Sequence, residues 1–180
     1  MAVREGTEAK ILIFFFFSAV TALIIAAPLA VPGGSIPRLD GTPGIVDHPE
    51  ILVTLDAPWN LVYYFGDIWC HQRADRSLSL NGNQLPLCIR CFGIFLGIPL
   101  GCLISLLWAV PITPALHRKV IIVLLIGSLP IVMDGGGQLL GFWESLPAIR
   151  ALTGILAGAG GGLILGILVD VMDWARQPSS

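Results

Sequence analysis

Four long apolar stretches dominate the pattern of hydrophobic and polar positions along the chain. They span residues 11–31, 91–112, 120–143 and 151–169, and the only charged residue within them is Asp134. A helix of about 20 apolar residues crosses the hydrocarbon core of a bilayer. The pattern therefore predicts an all-α, polytopic membrane bundle of four transmembrane helices, folded as a single membrane domain over residues 1–180.

The connection between the first two stretches, residues 32–90, has parts of different character. Residues 32–50 are rich in proline and glycine, which predicts a loop without regular structure. Residues 51–69 are apolar but contain two acidic residues and Pro58, together with Trp and Tyr residues typical of the headgroup level. We expect an interfacial or re-entrant helix here, followed by a cysteine-containing loop. A fifth crossing is the alternative, although two acidic residues in one span are costly.

The composition supports a membrane protein. Of the 180 residues, 55% are hydrophobic and 12% are charged, and the mean hydropathy is +0.84. So few charges exclude a soluble enzyme and a disordered chain. The formal net charge of -2, without a run of basic residues, excludes a nucleic-acid-binding protein. We expect a multi-pass protein of the cell membrane, with the lipid bilayer as its environment.

Small residues recur at every fourth position in the second and fourth stretches. The two rows are Gly93, Gly97 and Gly101, continued by Ser105, and Gly154, Gly158, Gly162 and Gly166. Such rows let helix backbones approach closely in lipid, where apolar side chains gain little from contact with one another. We interpret them as packing surfaces, either within the bundle or towards a membrane-protein partner or a second copy of the chain.

Three of the four cysteines lie around the start of the second stretch. Cys88 and Cys91 have the spacing at which two thiolates from one turn bind the same metal, and Cys70 with His71 adds two further ligand types. The first interpretation is a zinc site, or an iron site, formed by Cys70, His71, Cys88 and Cys91. Adjacent residues seldom reach one ion, so His71 could instead support the ligands and leave a fourth position open for catalysis.

Two other interpretations of the cysteines remain open. In one, Cys88 and Cys91 cycle between dithiol and disulfide, with Cys70 as the resolving thiol. In the other, the cysteines form a static disulfide or are buried free thiols. Cys102, in the middle of the second stretch, is expected to be an inert, small apolar residue.

A second polar group lies where the third stretch ends and the fourth begins. Asp134 and Gln138 are four residues apart and share one face of the third helix, and Glu144 and Arg150 follow at the same end. The number of spans places this end on the same membrane face as the cysteines. An acidic residue within a span predicts a functional site with a basic partner, here Arg150 or Arg90. A structural Asp-Arg pair is the alternative.

Together, the two groups predict a metal-assisted reaction on a membrane amphiphile. In this hypothesis the metal activates water or polarises an oxygen, Asp134 or Glu144 is the base, and Gln138 lines the floor of the site. Arg76 or Arg150 binds an anionic headgroup. Two alternatives are a thiol-disulfide redox protein, and a non-catalytic subunit or an assembly or transport component of a larger membrane complex.

Three blocks of the sequence resemble the domain of unknown function 2085 family of predicted membrane proteins: CHQRADRSLSLNGNQLPLCIRCFGIFLG, MDGGGQLLGFWES and RALTGILAG. The resemblance runs from about Cys70 to Gly158 and implies no activity. One departure is the Gly136-Gly137 pair, which stands where a hydroxyl residue often precedes glutamine in the family. The resemblance implies that one site contains Cys70, His71, Gln72, Arg76, Ser77, Cys88, Arg90, Cys91, Asp134, Gln138, Glu144, Ser145, Arg150 and Thr153.

Overall fold

The computed structural model of the chain describes residues 5–108, 112–113 and 115–176. The helices are α1 (Glu5–Ala30), α2 (Pro49–Leu52), α3 (Trp59–Trp69), α4 (Ile89–Leu107), α5 (Leu116–Leu139) and α6 (Pro147–Arg176). A 3-10 turn (Ala74–Arg76) precedes strands β1 (Ser77–Leu80) and β2 (Asn83–Cys88), which pair as an antiparallel hairpin. The all-α class is confirmed, with the hairpin as a minor addition.

Four of these helices are long and apolar enough to cross a membrane. They are Gly6–Ala30, Ile89–Leu107, Arg118–Leu139 and Pro147–Arg176. The end of the predicted second span, residues 109–111, lies outside the described residues. α1 and α6 extend beyond the apolar stretches and include charged residues at their ends.

The fifth crossing is not found in the described structure. Residues 51–69 contain the end of the short α2, a turn around Asp56 and Pro58, and the 11-residue helix α3. A helix of that length reaches about 16 Å, roughly half the thickness of the hydrocarbon core. Placement of α3 in the membrane interface stays a prediction.

The chain forms two compact units. Met1–Ser18 and Gly93–Ser180 make up one, which we call the helical unit, and Ala19–Phe92 makes up the other, the hairpin unit. The hairpin unit contains all three clustered cysteines. The helical unit contains α5 and α6 and the polar residues near the connection between them.

In the helical unit, the two glycine rows pack against each other. A Cβ at Gly97 would overlap the carbonyl oxygen of Ile155, and a Cβ at Gly158 would overlap that of Ile94. α4 and α6 therefore touch backbone to backbone. Each row covers the other within one chain, so neither row offers the uncovered surface that docking of a partner or a second copy would need.

A buried ion pair links three helices of the same unit. The Nζ of Lys10 donates to Oδ2 of Asp170 at 2.7 Å and to the carbonyl oxygen of Ser105 at 3.0 Å. The Lys10 residue is only 5% exposed. α1, α4 and α6 are thus joined at a single ammonium group, which the sequence pattern did not single out.

The Pro/Gly-rich segment of the hairpin unit is held by two amide side chains from β2. Asn83 is fully buried, and its Nδ2 donates to the carbonyl oxygens of Pro28 and Pro32 at 2.9 and 3.0 Å. Its Oδ1 accepts the backbone N–H of Ile36 at 2.8 Å. Residues 32–48 contain no helix or strand, whereas residues 49–50 of the predicted loop belong to α2, and Asn83 satisfies backbone groups of Pro32 and Ile36.

Gln84 continues this arrangement one residue further along β2. Its Oε1 accepts the N–H of Leu39 at 2.9 Å, and its Nε2 donates to the carbonyl oxygen of Leu39 at 3.3 Å. The hydroxyl of Tyr63, on α3, donates to the Gln84 carbonyl oxygen at 2.9 Å, and burial raises the pKa of that phenol. Apolar side chains close the core around these bonds: Ala27, Val31, Ile36, Leu39, Leu55 and Tyr63.

Candidate functional site

Three sulfur atoms converge in the hairpin unit. The Sγ atoms of Cys70, Cys88 and Cys91 all lie within 4.8 Å of one another. Cys70 directly follows α3, Cys88 is the last residue of β2, and Cys91 lies in the first turn of α4. Cys70 and Cys88 are 1% and 3% exposed, and Cys91 is half-buried. Three separate elements thus direct their thiols to one point.

Close packing of α3 on β2 brings the cysteines together. A Cβ at Gly66 would overlap the carbonyl oxygen of Pro86, so glycine is needed for α3 to lie directly on the strand. The Nε2 of Gln72 donates to the same carbonyl at 2.9 Å. The Asn81-Gly82 turn, with φ of 54° and 72°, then returns the chain so that Ser77 pairs with Cys88.

Backbone amides point at the sulfur of Cys70. The N–H of Cys88 donates to it at 3.3 Å, and the N–H of Gln72 donates to it at 3.5 Å. Gln72 has a positive φ of 47°, so the chain turns at the residue whose N–H reaches the sulfur. N–H donors of this kind stabilise a sulfur that carries negative charge.

Hydrogen bonds between the clustered thiols change their pKa values. A hydrogen bond from Cys70 is the main cause that lowers the pKa of Cys88, and contacts with Cys91 and His71 act in the same direction. The same Cys70–Cys88 hydrogen bond is the main cause that raises the pKa of Cys70 to about 11. The hydrogen bond between Cys70 and Cys88 therefore moves the pKa values of these two thiols in opposite directions.

The cluster has the dimensions of a thiolate metal site. Zinc binds sulfur at about 2.3 Å in tetrahedral geometry, which places two bound sulfurs about 3.8 Å apart. The observed limit of 4.8 Å is compatible with that distance. All four cysteines of the chain are free thiols in the structure, so the static disulfide is not observed. The fourth, Cys102, is buried on α4 with its Sγ 3.6 Å from the carbonyl oxygen of Gly162.

His71 lies beside the cluster. Its Nδ1 accepts the backbone N–H of Arg73 at 3.0 Å, and its ring also contacts the Cys88 sulfur. The group of ligand atoms that lie within 4.8 Å of one another contains the three cysteines and not His71. Arg76 is in the same unit, with its Nε 3.5 Å from Oδ2 of Asp75.

The other predicted site residues belong to the helical unit. Asp134 and Arg150 are each 6% exposed, Gln138 is half-buried and Glu144 is exposed. A Cβ at Gly127 would lie 3.4 Å from Cα of Gly160, which sets the register between α5 and α6.

That register places the acidic and basic residues at one level. α5 and α6 are joined by residues 140–146 and run antiparallel, so Asp134, seven residues after Gly127, lies near the level of Arg150 and Thr153. The hydroxyl of Thr153 donates to the Arg150 carbonyl oxygen at 3.2 Å. That these residues share one site with the cysteines stays a prediction.

The sequence analysis did not identify a His-Asp pair in the hairpin unit, formed by half-buried His48 and buried Asp67. Asp67 is 1% exposed, and its carboxylate accepts the N–H of His48 at 3.1 Å and lies 2.9 Å from His48 Nδ1. The signal for it was present, because an acidic residue in the apolar segment 51–69 needs a buried partner. The pair fixes the end of the Pro/Gly-rich segment on α3.

The comparisons with known proteins agree with the membrane helices. The model of a family described as predicted membrane protein (DUF2085) matches residues 70–164, more than half of the chain. An uncharacterized protein of Methanothermobacter thermautotrophicus is 37% identical over 103 residues, which cover 57% of this chain and 86% of that protein.

A second relative, an uncharacterized protein of Methanocaldococcus jannaschii, is 34% identical over 100 residues. The match covers 54% of this chain and 61% of the relative, so the chain spans less than two thirds of that protein's length. No solved structure matches the chain. The family match and the relative from M. thermautotrophicus show that the chain belongs to the DUF2085 family of predicted membrane proteins.

Proposed function

We propose that the protein is a multi-pass membrane metalloprotein that binds one zinc ion through Cys70, Cys88 and Cys91. The observation that carries this proposal is the convergence of three sulfurs within 4.8 Å from the ends of three different elements. Soft thiolate donors in such an arrangement select zinc or iron over magnesium or calcium.

The surroundings of the sulfurs support a bound cation. Buried thiolates are costly unless a positive charge or several hydrogen-bond donors compensate them. Two backbone N–H groups point at the Cys70 sulfur, and the Cys70 hydrogen bond lowers the pKa of Cys88, which favours its thiolate form. A zinc ion would balance this charge and displace the remaining thiol protons.

The positions of the ligands suggest what the metal does for the fold. Zinc would join the end of α3, the end of β2 and the start of α4. A structural metal contributes its binding free energy to folding, since the unfolded chain has no preformed site. Zinc here would therefore stabilise the hairpin unit, which includes the first turn of α4.

This proposal predicts the metal content of the purified protein and of four variants. Protein purified in detergent without chelators should contain about one zinc per chain by inductively coupled plasma mass spectrometry. Cys70→Ser, Cys88→Ser and Cys91→Ser should each retain less than about a tenth of it, since each removes one of three ligands. Cys102→Ser is the matched control, because Cys102 is buried but lies outside the cluster, and it should keep its zinc.

Two further measurements decide what a different result means. The variants must retain their helicity by circular dichroism, which shows that the loss of metal does not result from loss of the fold. A wild-type protein without metal, in which two thiols become titratable only after reduction, would contradict the proposal and support the redox alternative. Iron in place of zinc would change the identity of the bound metal, and the three-cysteine site itself would still be supported.

We further propose metal-assisted chemistry on a membrane amphiphile, with Asp134 or Glu144 as base and Arg76 or Arg150 for an anionic headgroup. Its support is the burial of Asp134 and Arg150 at one level of the α5–α6 pair. Asp134→Asn should then fail to complement a deletion strain that the wild-type gene complements, while its zinc content is unchanged. Full restoration would count against catalysis and favour a structural metal.

A further inference from the structure

We propose that the exposed face of α3 lies in the headgroup region of the bilayer, at the membrane face where α1 ends and α4 begins. Leu61, Tyr64, Ile68 and Trp69 form this face and are between 37% and 63% exposed. These four positions lie along one side of a helix with 3.6 residues per turn. Contact with lipid is a role beyond the proposed metal site, and it does not require a bound zinc ion.

The exposed face carries no charge because the single charged residue of α3 lies on the other side. α3 has the sequence WNLVYYFGDIW, in which that residue is Asp67. Asp67 is 1% exposed and pairs with His48, with 2.9 Å between Asp67 Oδ1 and His48 Nδ1. Tyr63 and Gly66 are also buried. The protein therefore covers one side of α3, and the opposite side presents large, uncharged side chains.

The C-terminal end of α3 lies at the level where a membrane helix begins. Cys70 directly follows Trp69, and its sulfur lies within 4.8 Å of the Cys91 sulfur. Cys91 is in the first turn of α4 and is the first residue of the apolar stretch 91–112. Trp69 is therefore next to the point at which the chain enters the hydrocarbon core.

The first half of α3 lies near the end of the preceding membrane helix. Tyr63 belongs to the same buried cluster as Ala27 and Val31, and Trp59 packs against that cluster. Ala27 is in the last turn of α1, and Val31 directly follows that helix. Because α1 and α4 are consecutive spans, the end of α1 and the start of α4 share one membrane face. Two points along α3 are thus held at the level of that face, which directs the helix along the surface.

Lipid headgroups match the chemistry of this side of α3. Trp and Tyr are enriched at the headgroup level, because their rings are apolar while their N–H and O–H groups remain hydrated. The rings of Phe65 and Trp69 stack with their centroids 5.9 Å apart, which gives a broad aromatic surface at the end of the helix. Leu29, in the last turn of α1, is 55% exposed as well. An apolar surface at this level is typical of a segment that lies in the membrane interface.

The collision accessibility of nitroxide labels in vesicles tests the position of the face. Tyr64 and Ile68 are replaced, one at a time, by p-acetylphenylalanine, and the nitroxide is attached to its ketone so that the four cysteines stay unmodified. In vesicles of phosphatidylcholine and phosphatidylglycerol, we expect the ratio of oxygen to nickel-chelate collisions to be several-fold higher at these positions than at position 38. Arg38 is the matched control, because its side chain is 76% exposed and pairs with Asp40.

Two results of the labelling experiment would overturn the inference. Labels at positions 64 and 68 that are as accessible to the nickel chelate as the label at position 38 would place the face in water. Labels that are inaccessible to both oxygen and the nickel chelate would mean that protein covers the face.

Photo-crosslinking identifies the molecules that touch the face in the membranes of the expression host. p-Benzoylphenylalanine at position 68 reacts on irradiation with C–H bonds of its neighbours. We expect adducts with the mass of a phospholipid by mass spectrometry of the intact protein, and far fewer of them at position 38. A crosslinked dimer, or an adduct with another protein, as the main product would overturn the inference. Either result leaves the measured zinc content unaffected, so failure of this inference and failure of the proposed metal site are distinguishable.

Discussion

Gly158→Leu is expected to leave almost no correctly folded protein in detergent. A Cβ at this position would already overlap the carbonyl oxygen of Ile94 and would lie 3.0 Å from Cα of Gly97. These are backbone atoms that no side-chain rotation can move, so α4 and α6 would have to separate along their whole contact. Overpacking of this kind costs about 3 kcal/mol or more. The yield of monodisperse protein by size-exclusion chromatography and the thermal melting temperature measure the effect.

Gly161→Leu provides the matched control for the same helix. A Cβ at Gly161 would meet no atom within 4 Å, so a side chain at this position would not push a neighbouring helix away. We expect a yield and melting temperature close to those of the wild type. An equal loss of yield and melting temperature in the two variants would contradict the prediction. It would mean that glycine is needed on α6 for a reason other than close contact with α4.

Lys10→Met is expected to destabilise the protein by about 3 kcal/mol. The substitution leaves the carboxylate of Asp170 without the ammonium group that lies 2.7 Å from it. Loss of one partner of a buried ion pair leaves an uncompensated charge, which typically costs about 3 to 5 kcal/mol. The Asp170 side chain retains 25% exposure, so the lower end of that range applies. The free energy of unfolding in mixed micelles, measured by denaturant titration, gives the value.

A second substitution separates the charge from the packing. Lys10→Met combined with Asp170→Leu removes both charges, and we expect it to recover most of the lost stability. Glu8→Gln, at an exposed position on the same helix, should change stability by less than about 0.5 kcal/mol. A double variant as unstable as Lys10→Met would show that Lys10 acts mainly through the Ser105 carbonyl.

The membrane helices were predictable because a bilayer imposes a length and an absence of charge on each span. The same rule could not detect the hairpin, whose strands are only 4 and 6 residues long. A local signal was nevertheless present in Asn81-Gly82, the dipeptide most favoured in two-residue hairpin turns. Its position within a connection rich in other turn residues hid the flanking strands.

The candidate site was predictable in part for a similar reason. Cys88 and Cys91 are close in sequence, so their spacing indicated a shared ligand position. The contribution of Cys70 depends on the packing of Gly66 against Pro86, which the sequence does not display. Lys10 and Asp170 are 160 residues apart, and His48 and Asp67 are 19 apart. An isolated acidic residue predicts that a partner exists, but no local period identifies it.

The regular spacing of the two glycine rows makes the pairing of α4 and α6 ambiguous. Because glycine recurs at every fourth position on both helices, a shift of four residues, about 6 Å, would again place glycines opposite carbonyl groups. Sliding would therefore preserve much of the contact. The ammonium group of Lys10 reaches both Ser105 on α4 and Asp170 on α6, and it can do so in one alignment only. The charge that is costly to place in the membrane selects a single register from a set of nearly equivalent ones.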